Sequence, residues 1–137
     1  MILASTPADL VNYLGATAGP TDPVEITVEN VRDFDESTGA GHNQDHMIGP
    51  FFALSLTNLF LPQLLTVETF SMGVNVGLDG VEFHTSIGAP AQLTGSATVI
   101  SAEHVGEGVQ IVVRVDIIDH ATGRLVARAN TVSRFFA

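Results

Sequence analysis

The stretch GPFFALSLTNLFLPQLL, residues 49–65, limits what this chain can become. Pro50 suits the first position of a helix, where its missing N–H costs nothing. Apolar residues then occupy nearly every side of the helix that follows, and such a helix has to be covered all round. The run is shorter than the ~20 residues a membrane span needs, and Ser55, Thr57, Asn58 and Gln63 interrupt it. The expectation is a buried helix inside a soluble protein that has no membrane partner.

The chain that follows supplies the cover. ETFSMGVNV and VEFHTSI have strand character and are joined through GLDG, read as an aspartate-glycine turn. AQLTGSATVISAEHV runs into GEG, VQIVVRVDII into DHATG, and RLVARANTVSRFF follows. Ile111, Val113, Val115 and Ile117 alternate onto one face, while Val112, Arg114 and Asp116 make a mixed face. Such strands suit one face on the helix and one toward solvent or a dimer contact.

Upstream, Thr6-Pro7 opens a short helix with Leu10, Val11 and Leu14 as its apolar face and Gly15 as its end. VEIT reads as a brief strand. Thr27 caps a helix over 28–37, with Val31 and Phe34 inward, Glu29 in the first turn and Gly39 at the end. Residues 40–48 read as a polar loop. No repeat or linker interrupts residues 1–137, so the pattern predicts a single α+β domain, a long antiparallel sheet curled around a central apolar helix.

Charge and composition exclude several functions. The formal net charge is −10, with five arginines and no lysine, so the chain lacks the basic face that nucleic acid or anionic membrane requires. It has no cysteine, hence no disulfide and no thiolate nucleophile, which fits a cytoplasmic location. MILASTPADL lacks the basic and apolar regions of a secretory signal.

Residues that move protons gather just before the apolar run, in STGAGHNQDHMIGPFFALSL. Histidine titrates near neutrality, so His46 is read either as a general acid/base or as a loop residue capping the next helix. His42, Asp45 and His46 have the spacing of ligands on one helical face, but Gly39, Gly41 and Pro50 mark this segment as loop. No metal and no cofactor is expected. Asp33, Asp35 and Glu36 are expected to face water, away from Val31 and Phe34. His84 interrupts an apolar strand end and is read as pocket lining or as strand-end surface. His104 and His120 lie beside turns. Phe51, Phe52, Phe60 and Leu64 are core or tunnel wall. Asn75, on a strand taken as buried, needs a partner.

Three runs carry a family resemblance. VRDFDESTG resembles the F…TGD helix end of MaoC-like (R)-specific enoyl-CoA hydratases, and ALSL…LPQLL resembles their central helix. VNVGLDGVEFHTSIGA resembles the NYGLNKVRFPAPVPVG segment of the nodulation protein N-like branch, through Asn75, Gly77, Leu78, Val81, Phe83 and Gly88. The resemblance spans roughly residues 6–136 by order and spacing.

The resemblance implies the hotdog fold and a homodimer whose sheets join edge to edge. It further implies hydration of a trans-2-enoyl thioester of coenzyme A or acyl carrier protein, or the reverse dehydration. In the family motif Gly-Asp-x-Asn-Pro-x-His, the aspartate and histidine hold one water, and N–H groups at the start of the central helix polarise the thioester carbonyl. Laying Asn43-Gln44-Asp45-His46 on Asn-Pro-x-His puts His46 at the catalytic histidine. The aspartate position then falls on Gly41, or on Ala40 if Thr38-Gly39 is the anchor. Asp45 and His84 are the candidate catalytic partners, and His42, Asn43, Gly49, Phe51, Phe52 and Asn75 the candidate substrate contacts. The stretch from His46 to the central helix is shorter than the family's, with Gly49-Pro50 near its His-Gly pair. Two further readings stay open. One is a hotdog enzyme repurposed for cyclisation, isomerisation or thioester cleavage of an apolar or polyketide-like substrate. The other is a non-catalytic partner subunit or small-molecule binder.

Overall fold

A computed structural model describes residues 1–137. In chain order the elements are β1 (Ile2–Ala4), a 3-10 turn (Pro7–Tyr13), β2 (Thr17–Ala18), β3 (Val24–Ile26), α1 (Val28–Thr38), α2 (Pro50–Ser55) and α3 (Thr57–Leu64). Then come β4 (Leu65–Val67), β5 (Met72–Phe83), β6 (Ala91–Val105), β7 (Gly108–Asp119) and β8 (Leu125–Phe136). The main sheet is antiparallel in the order β2-β6-β7-β8-β5, with β3 also on β6. This is the α+β hotdog arrangement, a curled sheet packed on helices.

The period-2 pattern sorts the two faces of the sheet. Ala97, Val99, Val113, Val115, Ile117, Ala127 and Ala129 all point inward and are at most 2% exposed. The outer face carries the arginines that strands can pair across. Asp116 accepts two hydrogen bonds from Arg128, at 2.7 and 3.1 Å, and Arg134 donates to Gln110 at 2.8 Å. On the inner face, Phe60 of α3 is completely buried against β6. A Cβ on Gly95 would stand 2.6 Å from the Phe60 Cβ and Cγ, so only glycine lets the helix come this close.

The 49–65 segment departs from expectation. It is two short helices meeting at Leu56, not one. Ser55 Oγ donates to the Phe52 carbonyl and Thr57 Oγ1 to that of Leu54, which bends a helix locally, and Pro62 lacks the N–H that would continue the ladder. Nor is it covered on every side. Phe52, Ala53, Leu56, Phe60 and Leu64 are buried, but Phe51 is 72% and Leu59 41% exposed. A single curled sheet covers one side of a helix, and the rest lies open in the isolated chain. No helix is long and apolar enough to cross a membrane.

GLDG is not a hairpin turn. Both runs that it separates belong to β5 and pair with β8, from Met72 opposite Phe136 to Phe83 opposite Ala127. The register shifts twice, between Asn75 and Gly77 and between Leu78 and Val81, and Gly80 takes a φ of 93° in the second irregularity. The extra residues are absorbed as bulges because β8 is long enough to template both runs. β5 lies at the sheet edge and nearly all of it is exposed, so Asn75 is not on a buried strand.

The first helix is a 3-10 turn. Three residues per turn align Pro7 and Leu10 toward the core and leave Leu14 exposed, and Thr6 makes no side-chain cap. α1 forms as expected: Thr27 and Asn30 make a reciprocal capping box, and Gly39 closes the helix at φ 68°. Replacing Gly95 with alanine is expected to lower unfolding free energy by about 1–3 kcal/mol through forced displacement of Phe60. Gly77→Ala, with no atom within 4 Å of the new Cβ, is expected to change it by no more than about 0.5 kcal/mol. Urea unfolding of the two variants measures the difference.

Candidate functional site

The loop between α1 and α2 is held from both ends. Phe34 of α1 and buried Phe52 of α2 pack with ring centroids 4.9 Å apart. Between them, the Asn43 side chain bridges the loop. Its Nδ2 donates to the Met47 carbonyl at 2.9 Å and its Oδ1 accepts from the Met47 N–H at 3.0 Å. The same Nδ2 also donates to Asp35 Oδ2 at 2.9 Å. Further along, Ile48 N–H donates to the Ile87 carbonyl and Ala89 N–H to that of His46, both at 2.9 Å, which docks residues 46–48 on the segment before β6.

His46 lies inside this clamp. Its φ of 50° is the single positive value among the non-glycine residues. Its side chain is half-buried, has no hydrogen-bond partner in the protein, and lines a polar cavity of about 430 Å³. Arg32, Asp35 and Glu36 of α1 and His42, Asn43 and Gln44 of the loop line the same cavity. Asp35 is half-buried and hydrogen-bonded, and does not simply face water as expected from the helix pattern; Asp33 does. Asp45 is exposed, has no partner, and is not part of the cavity wall. No group of three or more histidine, aspartate or glutamate side chains is placed to hold a metal.

Gly49 caps α2 without a side-chain hydrogen bond, so the N–H groups of Phe51 and Phe52 have no acceptor within the helix. With only six residues, α2 offers these N–H groups as individual donors more than as a large dipole. Phe51 meets Phe83 edge-on at 6.4 Å and borders a second cleft of about 480 Å³ between α2–α3 and β5–β8. Asn75 and Asn58 line that cleft. Asn75 Oδ1 accepts from Ser133 Oγ at 3.4 Å, whereas the Asn58 amide makes no hydrogen bond.

His84 belongs elsewhere. Its Nε2 lies 3.1 Å from Glu82, two residues before it, and Glu82 is in register with Arg128 on the outer face. Phe83, between them, turns to the inner face, where it meets Phe51. His84 therefore sits in a charged row with Glu82, Arg128 and Asp116, and His46 lines a cavity at α1. The Arg128 guanidinium is held more firmly protonated by its hydrogen bond to Asp116, with a smaller contribution from Glu82. Of the residues expected at one site, the fold groups His42, Asn43 and His46 around one cavity and Phe51 and Asn75 around another. Sequence reading passed over Asp35 because its contact is with a loop residue eight positions away, beyond any helical periodicity.

No protein-family profile matches the chain. A 3-hydroxyacyl-thioester dehydratase Z of Mycobacterium tuberculosis is 26% identical over 145 aligned positions, covering 95% of both chains. Among solved structures, a monoamine oxidase regulatory protein from Archaeoglobus superposes with a TM-score of 0.78 at 12% identity, covering 100% of this chain and 99% of the other. A MaoC-like dehydratase from Rhodospirillum rubrum superposes with a TM-score of 0.69 at 11% identity, covering 90% and 92%. The chain has the hotdog fold of these solved structures and is similar, over 95% of its length, to a 3-hydroxyacyl-thioester dehydratase.

Proposed function

We propose that this protein hydrates a trans-2-enoyl thioester or, in reverse, dehydrates a 3-hydroxyacyl thioester, with a site diverged from the usual motif. One observation carries the reading. His46, at the place the resemblance gives to the catalytic histidine, is fixed in a left-handed backbone conformation over a polar cavity and is left without a protein partner. A histidine so held is free to exchange a proton with water or substrate. The relationship to a 3-hydroxyacyl-thioester dehydratase over 95% of the chain supports the same chemistry. The N–H groups of Phe51 and Phe52 serve the thioester carbonyl as it gains enolate character. The thioester end lies at the start of α2, on the side of the His46 cavity, and the acyl chain runs from there into the cleft beside Phe51, which continues along α3 toward Val113 and Phe135. The carrier is coenzyme A or acyl carrier protein. The GLDG region supports a place near the nodulation protein N-like branch.

A second reading is favoured by the cleft itself, where the unbonded amide of Asn58 and Nδ2 of Asn75 line the space meant for an acyl chain. A repurposed hotdog enzyme acting on an oxygenated, polyketide-like substrate would use them.

The open side of the molecule supports a homodimer. β5 is a long edge strand with no proline and no lysine, and its two bulges leave regular stretches between and beside them for edge pairing. Val74, Val76, Leu78 and Phe83 on it, with Phe51 and Leu59 beside it, are all at least 40% exposed. Two copies joining β5 to β5 would cover this apolar surface and continue the sheet. A catalytic hotdog chain in place of the second copy would make this protein a partner subunit.

His46→Ala is expected to lower kcat/KM for hydration of a crotonyl thioester by ~10²–10⁴, followed as loss of the enoyl absorbance. Absence of turnover by the natural protein over several acyl lengths overturns the hydratase reading. Light scattering is expected to give a dimer for the natural chain and a monomer for the double variant Val76→Asp/Leu78→Asp. A natural chain that is monomeric at micromolar concentration removes the homodimer.

A further inference from the structure

We propose that Asp35, on α1, is the carboxylate that works with His46. This rests on the hydratase reading above, and it assigns a residue that the loop motif does not contain. The positions where a motif carboxylate would fall are Gly41 or Ala40, which have no ionisable group. Asp45, next to His46 in sequence, is exposed and not on the cavity wall. Asp35 reaches the same cavity wall from a different element.

The geometry gives Asp35 two properties that a surface carboxylate lacks. One oxygen, Oδ2, is fixed at 2.9 Å by Asn43, while Oδ1 has no protein donor. The amide that fixes it also grips Met47 on both N–H and carbonyl, the residue after His46. A single side chain thus sets the direction of the carboxylate and the backbone of the histidine. No carboxylate lies within 4.0 Å of a His46 nitrogen; the one histidine pair in the structure is His84 with Glu82. Asp35 and His46 line one cavity together with the loop residues His42, Asn43 and Gln44. The other charged or titratable groups on this cavity are Arg32, Glu36 and His42, each exposed and without a partner.

In the hydration direction, a water in the cavity loses a proton to Asp35 Oδ1 as its oxygen bonds to C3 of the enoyl thioester. The C2–C3 π pair moves to C2 with enolate character on the carbonyl. The protonated imidazole of His46 delivers a proton to C2. Proton transfer from Asp35 back to His46 through solvent restores both groups, so the sum is addition of one water across the double bond.

The test compares Asp35→Asn, Asp35→Ala, Asp33→Asn and His46→Ala in the full chain with a crotonyl thioester. Asp35→Asn keeps an oxygen for Asn43 and removes the charge, which separates chemistry from loop structure. The expected result is a fall in kcat of ~10²-fold or more for both Asp35 variants, with KM within about threefold, and Asp33→Asn, at a residue that faces water, within about threefold of the natural protein. Formate, small enough for the cavity, is expected to restore part of the activity of Asp35→Ala and none of His46→Ala. In parallel, the His46 ring signals are followed by NMR at fixed pH. Asp35→Asn is expected to move them and Asp33→Asn to leave them in place. Asp35→Asn with kcat within about threefold of the natural protein overturns the proposal, as does a loss that formate leaves untouched. If the natural protein hydrates no thioester, the hydratase reading fails. The NMR arm then decides Asp35 by itself, and His46 ring signals that Asp35→Asn leaves unmoved overturn its pairing with His46.

Discussion

The seating of Phe60 on the bare backbone of Gly95 is the contact on which the rest of the architecture depends. It brings α3 close enough to β6 for the inner side chains of three long strands to close over one side of the helix pair. Burying a phenylalanine completely is worth about 1.5–3 kcal/mol, and it is realised here only because no Cβ intervenes. The same closeness has a consequence on the far side. A sheet drawn tightly around one flank of α2–α3 cannot also reach the other, so Phe51 and Leu59 face outward beside the exposed strand β5. Core packing and the unsatisfied edge are two results of one geometry.

The loop that follows α1 shows how few contacts suffice to fix a site on irregular backbone. Gly39 ends the helix, Phe34 and Phe52 hold the flanking helices together, and the Asn43 amide supplies two bonds to loop backbone and a third to the Asp35 carboxylate. Buried or half-buried loop backbone needs such substitutes, because each unpaired N–H or carbonyl carries a desolvation cost of about 1–3 kcal/mol. The amide also ties loop order to the state of a carboxylate on a neighbouring helix.

The strands and their faces were legible because alternation is a local signal: Ile111, Val113, Val115 and Ile117 needed no partner to be identified as inward. The capped ends of α1 were legible for the same reason. GLDG was misread because a turn and a bulge use the same residues, and the choice between them is made by β8, over forty residues away. The break at Leu56 was hidden because the apolar pattern runs straight through it, while the cause lies in two hydroxyls bonding back to carbonyls. At the candidate site, motif alignment offered His46 and adjacency along the chain offered Asp45 beside it, whereas the fold puts Asp35 of α1, and not Asp45, on the cavity that His46 lines.

The backbone at His46 argues that its side chain is wanted for more than filling a loop. Left-handed φ disfavours a residue with a Cβ by roughly 1–2 kcal/mol, less for a histidine than for a branched residue. The chain meets this demand with glycine at Gly39, seven residues earlier, and at five other positions. Glycine at 46 would also leave intact the three bonds of Asn43 and the pairing to Ala89, all of which are independent of the imidazole. Stability alone therefore favours glycine, and the loop instead holds a histidine whose ring bonds to nothing in the protein. The surrounding clamp offsets the strain, and what it maintains is an unoccupied proton donor and acceptor facing a cavity. A capping histidine would have its ring on the start of α2; this one does not, and α2 begins uncapped beside it.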